Sequence, residues 1–536
     1  MSATPPTPAS SVNKSSTLAL VGLIIAVSMT TIDQTIVALT APTIESDLKI
    51  THSAMQWAVN AYLIATAAFF LLGGRLADVF GHKKLAIIGI IGFGSMSLLC
   101  GLAPNGDMAA TWLIVFRILQ GIAGALMFPA AIGIVVEGFS REKRAGAMAT
   151  FFAITGAMTA IGPIAGGYLS QWTWRSVFWI NVPLAVAAAI IVAIAAKPGV
   201  RRHERIDYAG AAIIAVGLGL IIFGLQQAGQ WGWTSPWVIG SLILGLALVA
   251  VFVWFEQRRA HPLVRLAVFK DRGFVIATAS LLFSAVAFLS TFYFLSVYGQ
   301  VSLQLSAVAT GLLFLTFFVG FVVAAQLGSR HFDKHGGRGV IIIGGVIGVI
   351  GFAWLAQTVS HIPSDPGAFF NSQTIPIILA GAGIGYMLSA ASTDAVNRAV
   401  GASYGEVTAI SQTMRNFGGA LGIAVFTTVV AGALSTKITA SFTALGATKA
   451  DAQAAIARIG GTVSGDDDLS HLPKATQEKF LEAVQQGYAD AVTWAFYGAA
   501  LAMLIVVILG LLYPKGENSA LFTDEAPAPS EPEPAS

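Results

Sequence analysis

Apolar runs long enough to cross a lipid bilayer recur along almost the whole chain, and this feature restricts its fold more than any other. We count fourteen such runs, the first from Thr17 to Leu39 and the last from Ala491 to Leu512. About twenty residues of α-helix span the ~30 Å hydrocarbon core, where each backbone polar group must find its partner inside the helix. The sequence therefore predicts an all-α integral membrane protein with fourteen transmembrane helices.

The composition excludes a globular protein with a water-facing surface. Of the 536 residues, 55% are hydrophobic and only 11% are charged, which leaves too few polar groups to solvate such a surface. The 30 Lys and Arg residues lie mostly in short loops and form no basic stripe, so we expect the lipid bilayer as a partner and no nucleic acid. The first apolar run is longer than the core of a signal peptide, and we expect it to be retained.

The distribution of basic residues predicts the orientation of the chain in the membrane. Lysine and arginine are more frequent in short cytoplasmic loops than in external ones. If the N-terminus lies in the cytoplasm, basic stretches such as "EGFSREKRAG" and "KPGVRRHERID" also face the cytoplasm. We therefore predict a multi-pass protein of the cell (plasma) membrane with both termini in the cytoplasm.

Two loops indicate that the chain is built from two similar halves. "GGRLADVFGHKK", after helix 2, and "LGSRHFDKHGGR", after helix 10, both place Asp-x-x-Gly shortly before basic residues. Such a repeat predicts parallel bundles, although glycines and charges also mark ordinary tight turns. The predicted units are a six-helix bundle at 17–196, a two-helix insert at 197–273, and a second six-helix bundle at 274–513 with an external loop at 435–490. The segments 1–16 and 514–536 are rich in Pro, Ala and Ser and are predicted to be disordered.

Five stretches of the first half resemble, in order, the signatures of a transporter family. They are "IDQTIVALTAP" in helix 1, "GRLADVFGHKK" after helix 2, "RILQGIAGALMFP" in helix 4, "GAMTAIGPIAGG" in helix 5 and "WRSVFWINVP" entering helix 6. With them, and with looser stretches in the second half, the chain resembles the fourteen-helix drug:proton antiporter branch of the major facilitator superfamily. The resemblance implies two six-helix bundles with two additional central helices. It also implies a monomer that exports hydrophobic small organic molecules, cations among them, by alternating access, with protons as the coupling ion and no cofactor.

Asp33 and Arg117 place opposite charges inside the predicted membrane-spanning region. Each lies about six residues, or ~9 Å of helix, from the outer end of its run, so the two have the same predicted depth. A single buried charge costs several kcal/mol unless it is paired. The pair is either a permanent structural salt bridge or a proton-coupling site, in which Asp33 exchanges a proton and Arg117 responds to its charge. The resemblance favours the second interpretation.

The loop after helix 2 carries the residues that the resemblance assigns to a conformational latch between the two halves. These are Gly74, Asp78, Gly81 and Lys83. The carboxylate of Asp78 is expected to bind the beginning of helix 13 near Gly405, since a helix N-terminus attracts negative charge. Val79 and His82 replace two basic residues that are usual in the family, so we expect a weaker or pH-sensitive latch.

Helix 5 contains a proline surrounded by small residues, within "GAMTAIGPIAGG". The residues are Gly156, Gly162, Pro163, Gly166 and Gly167. Proline removes one helical hydrogen bond and glycines allow close approach, so this helix is expected to kink or flex as an antiporter hinge. The pattern alone is equally compatible with simple tight packing. The resemblance connects this motif with antiporters, and we therefore expect export.

Polar and aromatic side chains in four helices are candidates for binding the substrate. They are Gln56, Asn60 and Tyr62 in helix 2, Phe288 and Phe292 in helix 9, Phe314 and Phe318 in helix 10, and Arg415 and Asn416 in helix 13. The phenylalanines recur at helical spacing and predict an aromatic wall against a hydrophobic ligand, but such stripes also face lipid or core. Arg415 either contacts the ligand or donates to backbone carbonyls. The apolar run of helix 13 contains no acidic residue, which argues against a metal site.

Two other functions are alternatives to this one. An exporter of one endogenous metabolite or lipid would carry the same motifs. A membrane enzyme or sensor would need a glycine-rich nucleotide loop, a cluster of His or Cys metal ligands, or a nucleophile beside a base. The cytoplasmic loops contain none of these patterns, so we expect a transporter and not an enzyme.

Overall fold

The computed structural model of the chain describes most of its residues and is built from α-helices. The described residues are 14–50, 52–198, 207–259, 262, 264–305, 307–363, 365, 370–398, 404–444 and 474–514. The predicted disordered tails, apart from residues 14–16 and 514, and the central part of the predicted external loop, 445–473, lie outside this set. The predicted all-α architecture is confirmed.

Fourteen long helices follow one another in the described part of the chain, and each coincides with one of the apolar runs. The first six are α1 (Lys14–Leu48), α2 (His52–Phe80), α3 (His82–Gly101), α4 (Ala109–Gly138), α5 (Arg141–Leu169) and α6 (Ser176–Ala195, with a break at Ile180). Two more, α7 (Tyr208–Trp231) and α8 (Pro236–Glu256), precede a short 3-10 helix at Leu266–Lys270. The last six are α9 (Arg272–Val301), α10 (Ala307–His335), α11 (Gly337–Val359), α12 (Thr374–Asn397), α13 (Tyr404–Ala444) and α14 (Lys474–Leu511).

The two halves of the chain repeat the same pattern of helix packing. In the first half α1 packs against α5 and α6, α3 packs against α4 and α6, and α2 packs against α4. In the second half α9 packs against α13 and α14, α11 packs against α12 and α14, and α10 packs against α12. Each of these contacts therefore recurs eight helices later. The prediction of two six-helix bundles with two additional helices between them is confirmed.

Glycines permit the closest helix crossings in both halves. A Cβ atom placed on Gly73 of α2 would lie 2.2 Å from the carbonyl oxygen of Ala125 on α4. A Cβ atom placed on Gly328 of α10 would lie 1.9 Å from the carbonyl oxygen of Tyr386 on α12. The helix backbones touch at these points, so a larger residue must push them apart. The repeat seen in the two loop sequences thus continues into the helix contacts.

We expect Gly328→Ala to destabilise the second bundle by about 1–3 kcal/mol, because the added methyl group would overlap a backbone oxygen that cannot move alone. Gly432→Ala on α13 is the matched control, since nothing lies within 4 Å of its Cβ position. The control should be neutral or slightly stabilising, because alanine is the better helix former. Thermal unfolding of the detergent-solubilised proteins measures both effects, and equal melting temperatures would contradict the close contact.

The two bundles share a hydrophobic core at one end of the molecule. We call the end at which α1 begins the proximal end and the opposite one the distal end. One cluster contains proximal residues of both halves, among them Ile134, Phe151, Phe274, Ala395 and Val407. At the distal end, the described core residues of the first half, such as Phe178, and those of the second half, such as Phe442, belong to separate clusters. The described structure is therefore closed at its proximal end.

The inserted helices α7 and α8 attach to both halves on one side of the molecule. The α7 helix packs against α2 and against α13, and α8 packs against α7. The rings of Trp57 on α2 and Phe223 on α7 stack with their centres 5.4 Å apart. Just after α7, the indole Nε1 of Trp233 donates to Thr428 Oγ1 on α13 over 2.6 Å. The insert therefore covers the seam between α2 and α13.

The last two helices continue beyond the ends that hydropathy predicts. The α13 helix runs to Ala444 and α14 begins at Lys474, so the predicted external loop at 435–490 is helical along both of its flanks. In these extensions the rings of Phe442 and Phe480 lie 4.5 Å apart. From hydropathy α13 was predicted to end too early, at Leu434, and α14 to begin too late, at Ala491, because contacts between the two helices stabilise their less apolar turns.

Candidate functional site

A buried ion pair lies inside the first bundle. Asp33 of α1 is 0% exposed and Arg117 of α4 is 1% exposed. The Nη1 group of Arg117 donates to Asp33 Oδ2. The two residues that the sequence places at equal depth are thus in direct contact, and the packing of α1 against α4 brings them together. Each charge has the partner that burial in an apolar bundle requires.

Two amide side chains complete the network around the ion pair. Gln120, one turn after Arg117, accepts from Arg117 Nη1 over 2.9 Å and donates to Asp33 Oδ1 over 3.0 Å. Asn181 of α6 donates to Asp33 Oδ1 over 3.3 Å and to Ser97 Oγ over 3.0 Å. Both carboxylate oxygens of Asp33 therefore have hydrogen-bond donors.

Neither amide was among the residues that the sequence analysis assigned to the proton-coupling site. Gln120 follows Arg117 by three positions, and Asn181 is a polar residue within the apolar part of "WRSVFWINVP". A buried polar side chain needs a hydrogen-bond partner. The position of these two amides within apolar stretches was therefore the signal in the sequence that could have identified them. Asn181 and Asp33 lie on separate helices far apart along the chain, so spacing along the sequence does not reveal their contact.

Tyr62 of α2 packs against the guanidinium of Arg117. The guanidinium carbon of Arg117 is 4.2 Å from the centre of the Tyr62 ring, which is a favourable cation–π geometry. Arg117 Nε also donates to the carbonyl oxygen of Ala58 over 3.3 Å. The Tyr62 hydroxyl points to the carbonyl oxygen of Thr30, 3.4 Å away. Tyr62 thereby ties the ion pair to both α1 and α2.

A cavity of about 100 Å³ lies between the two bundles, beside Tyr62. The first half contributes hydroxyl, amide and aromatic side chains from α1, α2, α4 and α5, and the second half contributes residues from α9, α10, α12 and α13. An aromatic and amide lining of this kind suits a hydrophobic organic ligand with a few polar groups. Among the residues searched in the described chain, no group of three or more His, Cys, Asp or Glu side chains could hold a metal ion.

The candidate substrate-binding residues fall into two groups in the structure. Those that line the cavity are Tyr62, Phe288, Arg415 and Asn416. The others are placed elsewhere: Phe314 and Phe318 are buried in the core of the second bundle, and Phe292 packs on them with ring centres 5.1 and 5.4 Å away. Asn60 is half-buried outside the described cavity lining, and the side chain of Gln56 is not among those described. Phe321, one turn beyond Phe318, lies at the cavity instead.

The glycines of α5 face helices of both halves. A Cβ atom on Gly162 would lie 1.9 Å from Thr35 Oγ1 and 3.0 Å from the carbonyl oxygen of Ile32, on the turn of α1 that carries Asp33. A Cβ atom on Gly156 would lie 3.1 Å from the Phe321 ring on α10. Gly166 is buried, and the side-chain surroundings of Pro163 and Gly167 are not described. The α5 helix therefore touches α1 beside Asp33 and the opposite bundle.

We expect Gly162→Leu to slow transport by about tenfold or more while ligand still binds, because the added side chain forces α5 away from α1. Gly146→Leu is the matched control on the same helix, since nothing lies within 4 Å of the Cβ position of Gly146. Transport rates in proteoliposomes and ligand affinity in detergent separate the two effects. Equal transport rates for the two variants would leave α5 without a special role.

The carboxylate of Asp78 faces its own bundle. Asp78 Oδ1 lies 3.3 Å from His82 Nε2, and His82 Nδ1 lies 3.0 Å from Glu137 Oε1 on α4. The imidazole ring fills the space above Gly133, where a Cβ atom would lie 2.2 Å from the ring. His82, which departs from the family pattern, thus connects the loop after α2 with the end of α4.

The other residues of the predicted latch surround this contact. Gly81 has a φ of 91°, in the left-handed region that favours glycine, and it makes the turn between α2 and α3. Gly74 is buried and Lys83 is half-buried. The predicted acceptor near Gly405 falls in a turn whose side chains are not among those described. Contact between the latch and α13 therefore stays a prediction.

The second half has an equivalent contact between α11 and α12. In the first half the large residue, His82, begins α3 and faces Gly133 of α4, whereas in the second half the glycine begins α11 and faces a large residue of α12. Gly337 begins α11, as His82 begins α3, and a Cβ atom on it would lie 3.1 Å from Asp394 Oδ2 on α12. Asp394 accepts from Arg398 Nε over 3.2 Å and from the Tyr513 hydroxyl. Burial and the nearby Asp394 carboxylate raise the pKa of the Tyr513 hydroxyl, which stays protonated as a donor. The sequence analysis missed this cluster, although Asp394 and Arg398 have the spacing of a helical ion pair.

Comparison with known sequences identifies related proteins along nearly the whole chain. A sequence model of the Major Facilitator Superfamily matches residues 23–207 and 202–423. The tetracenomycin C resistance and export protein of Streptomyces glaucescens is 28% identical over 532 residues, which are 98% of this chain and 96% of that protein. The puromycin resistance protein pur8 of Streptomyces alboniger is 30% identical over 77% of this chain and 82% of its own length. Multidrug resistance protein 3 of Bacillus subtilis is 26% identical over 92% of this chain and 94% of its own length.

Solved structures show the same fold. A D-xylose–proton symporter matches with a TM-score of 0.56 and 13% identity, over 94% of this chain and 98% of its own. A bacterial homologue of the human lysosomal transporter Spinster, in an inward-facing and occupied conformation, matches with a TM-score of 0.54 and 16% identity, over 92% and 96% of the two chains. Since the family model covers well over half of the sequence and the helix packing repeats in two halves, this chain belongs to the Major Facilitator Superfamily, and its helices fit the fourteen-helix branch.

Proposed function

We propose that this protein is a proton-coupled antiporter that exports hydrophobic small organic molecules by alternating access. The proposal depends above all on the buried network around Asp33, which adjoins the cavity between the bundles through Tyr62. The relatives support it, because their names describe resistance to or export of antibiotics and drugs. A cavity between two repeated bundles is also the arrangement that alternating access needs.

Asp33 is the proposed site of proton exchange. Its ionised form is well paired, with donors from Arg117, Gln120 and Asn181. When Asp33 binds a proton, Arg117 loses its counter-ion and keeps the carbonyl of Ala58, the amide of Gln120 and the Tyr62 ring as neighbours. A change of charge at the contact between α1 and α4 therefore favours a different arrangement of these helices.

The closed proximal end corresponds to one state of the proposed cycle. In the predicted orientation this end faces the cytoplasm, so the described conformation closes the cavity on the cytoplasmic side. The opposite state requires the shared proximal core to open, which separates residues such as Ile134 and Val407. The cores at the distal end must then come together. Exchange between these two states carries the ligand outward and the proton inward.

Transport by the purified protein in proteoliposomes is the decisive experiment. A pH gradient is imposed, and a panel of dyes and antibiotics is tested for uptake against its own gradient while proton flux is recorded. We expect at least one compound to move only when the pH gradient is present, with proton flux in the opposite direction. Absence of any compound-dependent proton flux across the panel would reject the antiport function.

The proposed orientation places the proximal loops in the cytoplasm. The only native cysteine, Cys100, is fully buried and gives a suitable background for labelling. A cysteine that replaces exposed Lys143 at the proximal end should resist an impermeant thiol reagent in intact cells, whereas one that replaces exposed Asp107 at the distal end should react. Reaction at the first position and protection at the second would reverse the topology.

A further inference from the structure

The cavity between the bundles has an unbalanced charge. Its described lining contains one charged side chain, the guanidinium of Arg415 on α13. The other polar groups on the lining are neutral hydroxyls and amides, such as those of Thr155, Gln34 and Gln412. A cation held away from bulk water without an opposite charge is costly, and such a group normally has a partner.

Arg415 has far fewer partners in the described structure than Arg117, the arginine of the buried ion pair. Arg117 contacts a carboxylate, an amide, a backbone carbonyl and an aromatic ring. Arg415 Nη1 donates to Gln412 Oε1 over 2.9 Å, on the same helix. No ion pair links Arg415 to a carboxylate of the described residues at 4.0 Å or less. An arginine has five N–H donors, so most of those on Arg415 are free to meet a ligand.

A cationic ligand would find no carboxylate on the described lining of this cavity. Asp33, whose partner Arg117 packs on Tyr62 of the lining, is fully buried and is not among the described lining residues. Its oxygens already accept from Arg117, Gln120 and Asn181. A cation in the cavity would therefore face the repulsion of Arg415 without compensation from a carboxylate on the described lining.

We propose that the cavity takes aromatic organic anions, compounds whose carboxylate or phenolate group accepts from Arg415. This inference rests on the proposed export function and narrows the ligand charge, which the sequence left open. The guanidinium supplies two parallel donors to an anionic oxygen pair, a strong and directional contact. Asn416 and Gln412 flank it with further hydrogen-bonding groups, and Phe288 and Phe321 offer ring faces to the apolar part of the ligand.

The charge of the ligand also affects how export is coupled to protons. A cation close to Asp33 would compete with the bound proton by direct repulsion. An anion at Arg415 does not repel the proton, so it cannot compete in this way. Anion export and proton entry must therefore be coupled through the conformational equilibrium of the protein, which both the anion and the proton shift when they bind. If one proton enters for each monoanion that leaves, two charges move inward per cycle, and a membrane potential that is negative inside accelerates export.

Two dyes with the same xanthene ring system and opposite charge provide the test. Fluorescein is an anion at pH 7.5 and rhodamine 123 is a cation. Binding is measured by fluorescence anisotropy with the full-length protein in detergent, and transport is measured in proteoliposomes. The variants are Arg415→Gln, the charge-conserving Arg415→Lys, and Arg272→Gln as a matched control at an exposed position outside the described cavity lining.

We expect the unmodified protein to bind and transport fluorescein in preference to rhodamine 123. Arg415→Gln should weaken fluorescein binding by about tenfold or more, as the loss of one charge-assisted contact predicts. Arg415→Lys should retain part of the affinity, and the control should behave as the unmodified protein. Preference for rhodamine 123, failure to bind fluorescein, or equal fluorescein binding by Arg415→Gln would each overturn the inference. Proton-coupled transport of rhodamine 123 at a higher rate than fluorescein would overturn it while leaving the proposed antiport intact.

Discussion

Asp33→Asn is expected to abolish proton-driven export while ligand exchange continues. The amide has the shape of the carboxylate but cannot bind and release a proton, so the network around it stays in one charge state. Transport of ligand down its own gradient does not need that proton. Proteoliposomes loaded with ligand should therefore still exchange it, whereas a pH gradient should no longer drive accumulation. We expect the pH-driven rate to fall by at least about a hundredfold, as for other essential proton-transfer groups.

A second buried aspartate provides the control for this result. Asp394 of α12 is as buried as Asp33 but lies at the proximal end, in contact with Arg398 and Tyr513. Asp394→Asn should lower stability without removing ligand-induced proton release. Proton release is measured in weakly buffered detergent solution at several pH values. A folded Asp33→Asn protein that releases protons as the unmodified protein does would reject Asp33 as the exchange site.

The architecture could be predicted because it follows from uniform, local signals. Apolar length alone locates thirteen of the fourteen long helices in the described residues, all except α5, and the repeated Asp-x-x-Gly loops indicate the two halves. The contact between Asp33 and Arg117 was also within reach, since two opposite charges at one depth have few other partners in an apolar bundle. The length of an apolar run, a short loop motif and the depth of a charge can each be read from one stretch of sequence.

The cavity and the rest of the network could not be predicted in the same way. Phe288 and Phe318 have the same helical spacing pattern, yet only the first lines the cavity, because the rotation of α9 and α10 depends on close contacts with other helices. Asn181 reaches Asp33 from α6, far along the chain. The contacts of His82 and Asp394 are equivalent in the two halves, but the glycine lies on the opposite helix of the pair. A sequence comparison of the two halves therefore does not reveal this repeat.

Arg117→Gln is expected to destabilise the folded protein by about 3–5 kcal/mol, because it leaves the Asp33 carboxylate buried without a counter-ion. Gln120 and Asn181 still donate to that carboxylate, but neutral amides do not replace the guanidinium charge. The variant should unfold at lower temperature in detergent and should also lose proton-driven transport.

The double variant Asp33→Asn/Arg117→Gln distinguishes a structural ion pair from a functional one. It contains neither buried charge, so its stability should recover by about 2 kcal/mol or more relative to Arg117→Gln alone, and the four proteins form a double-mutant cycle. Simple addition of the two single losses would show that the pair does not interact. If the pair were only structural, transport would return together with stability. We expect instead that the double variant folds and binds ligand but still fails to couple transport to protons, because no carboxylate remains between α1 and α4 to carry the exchange.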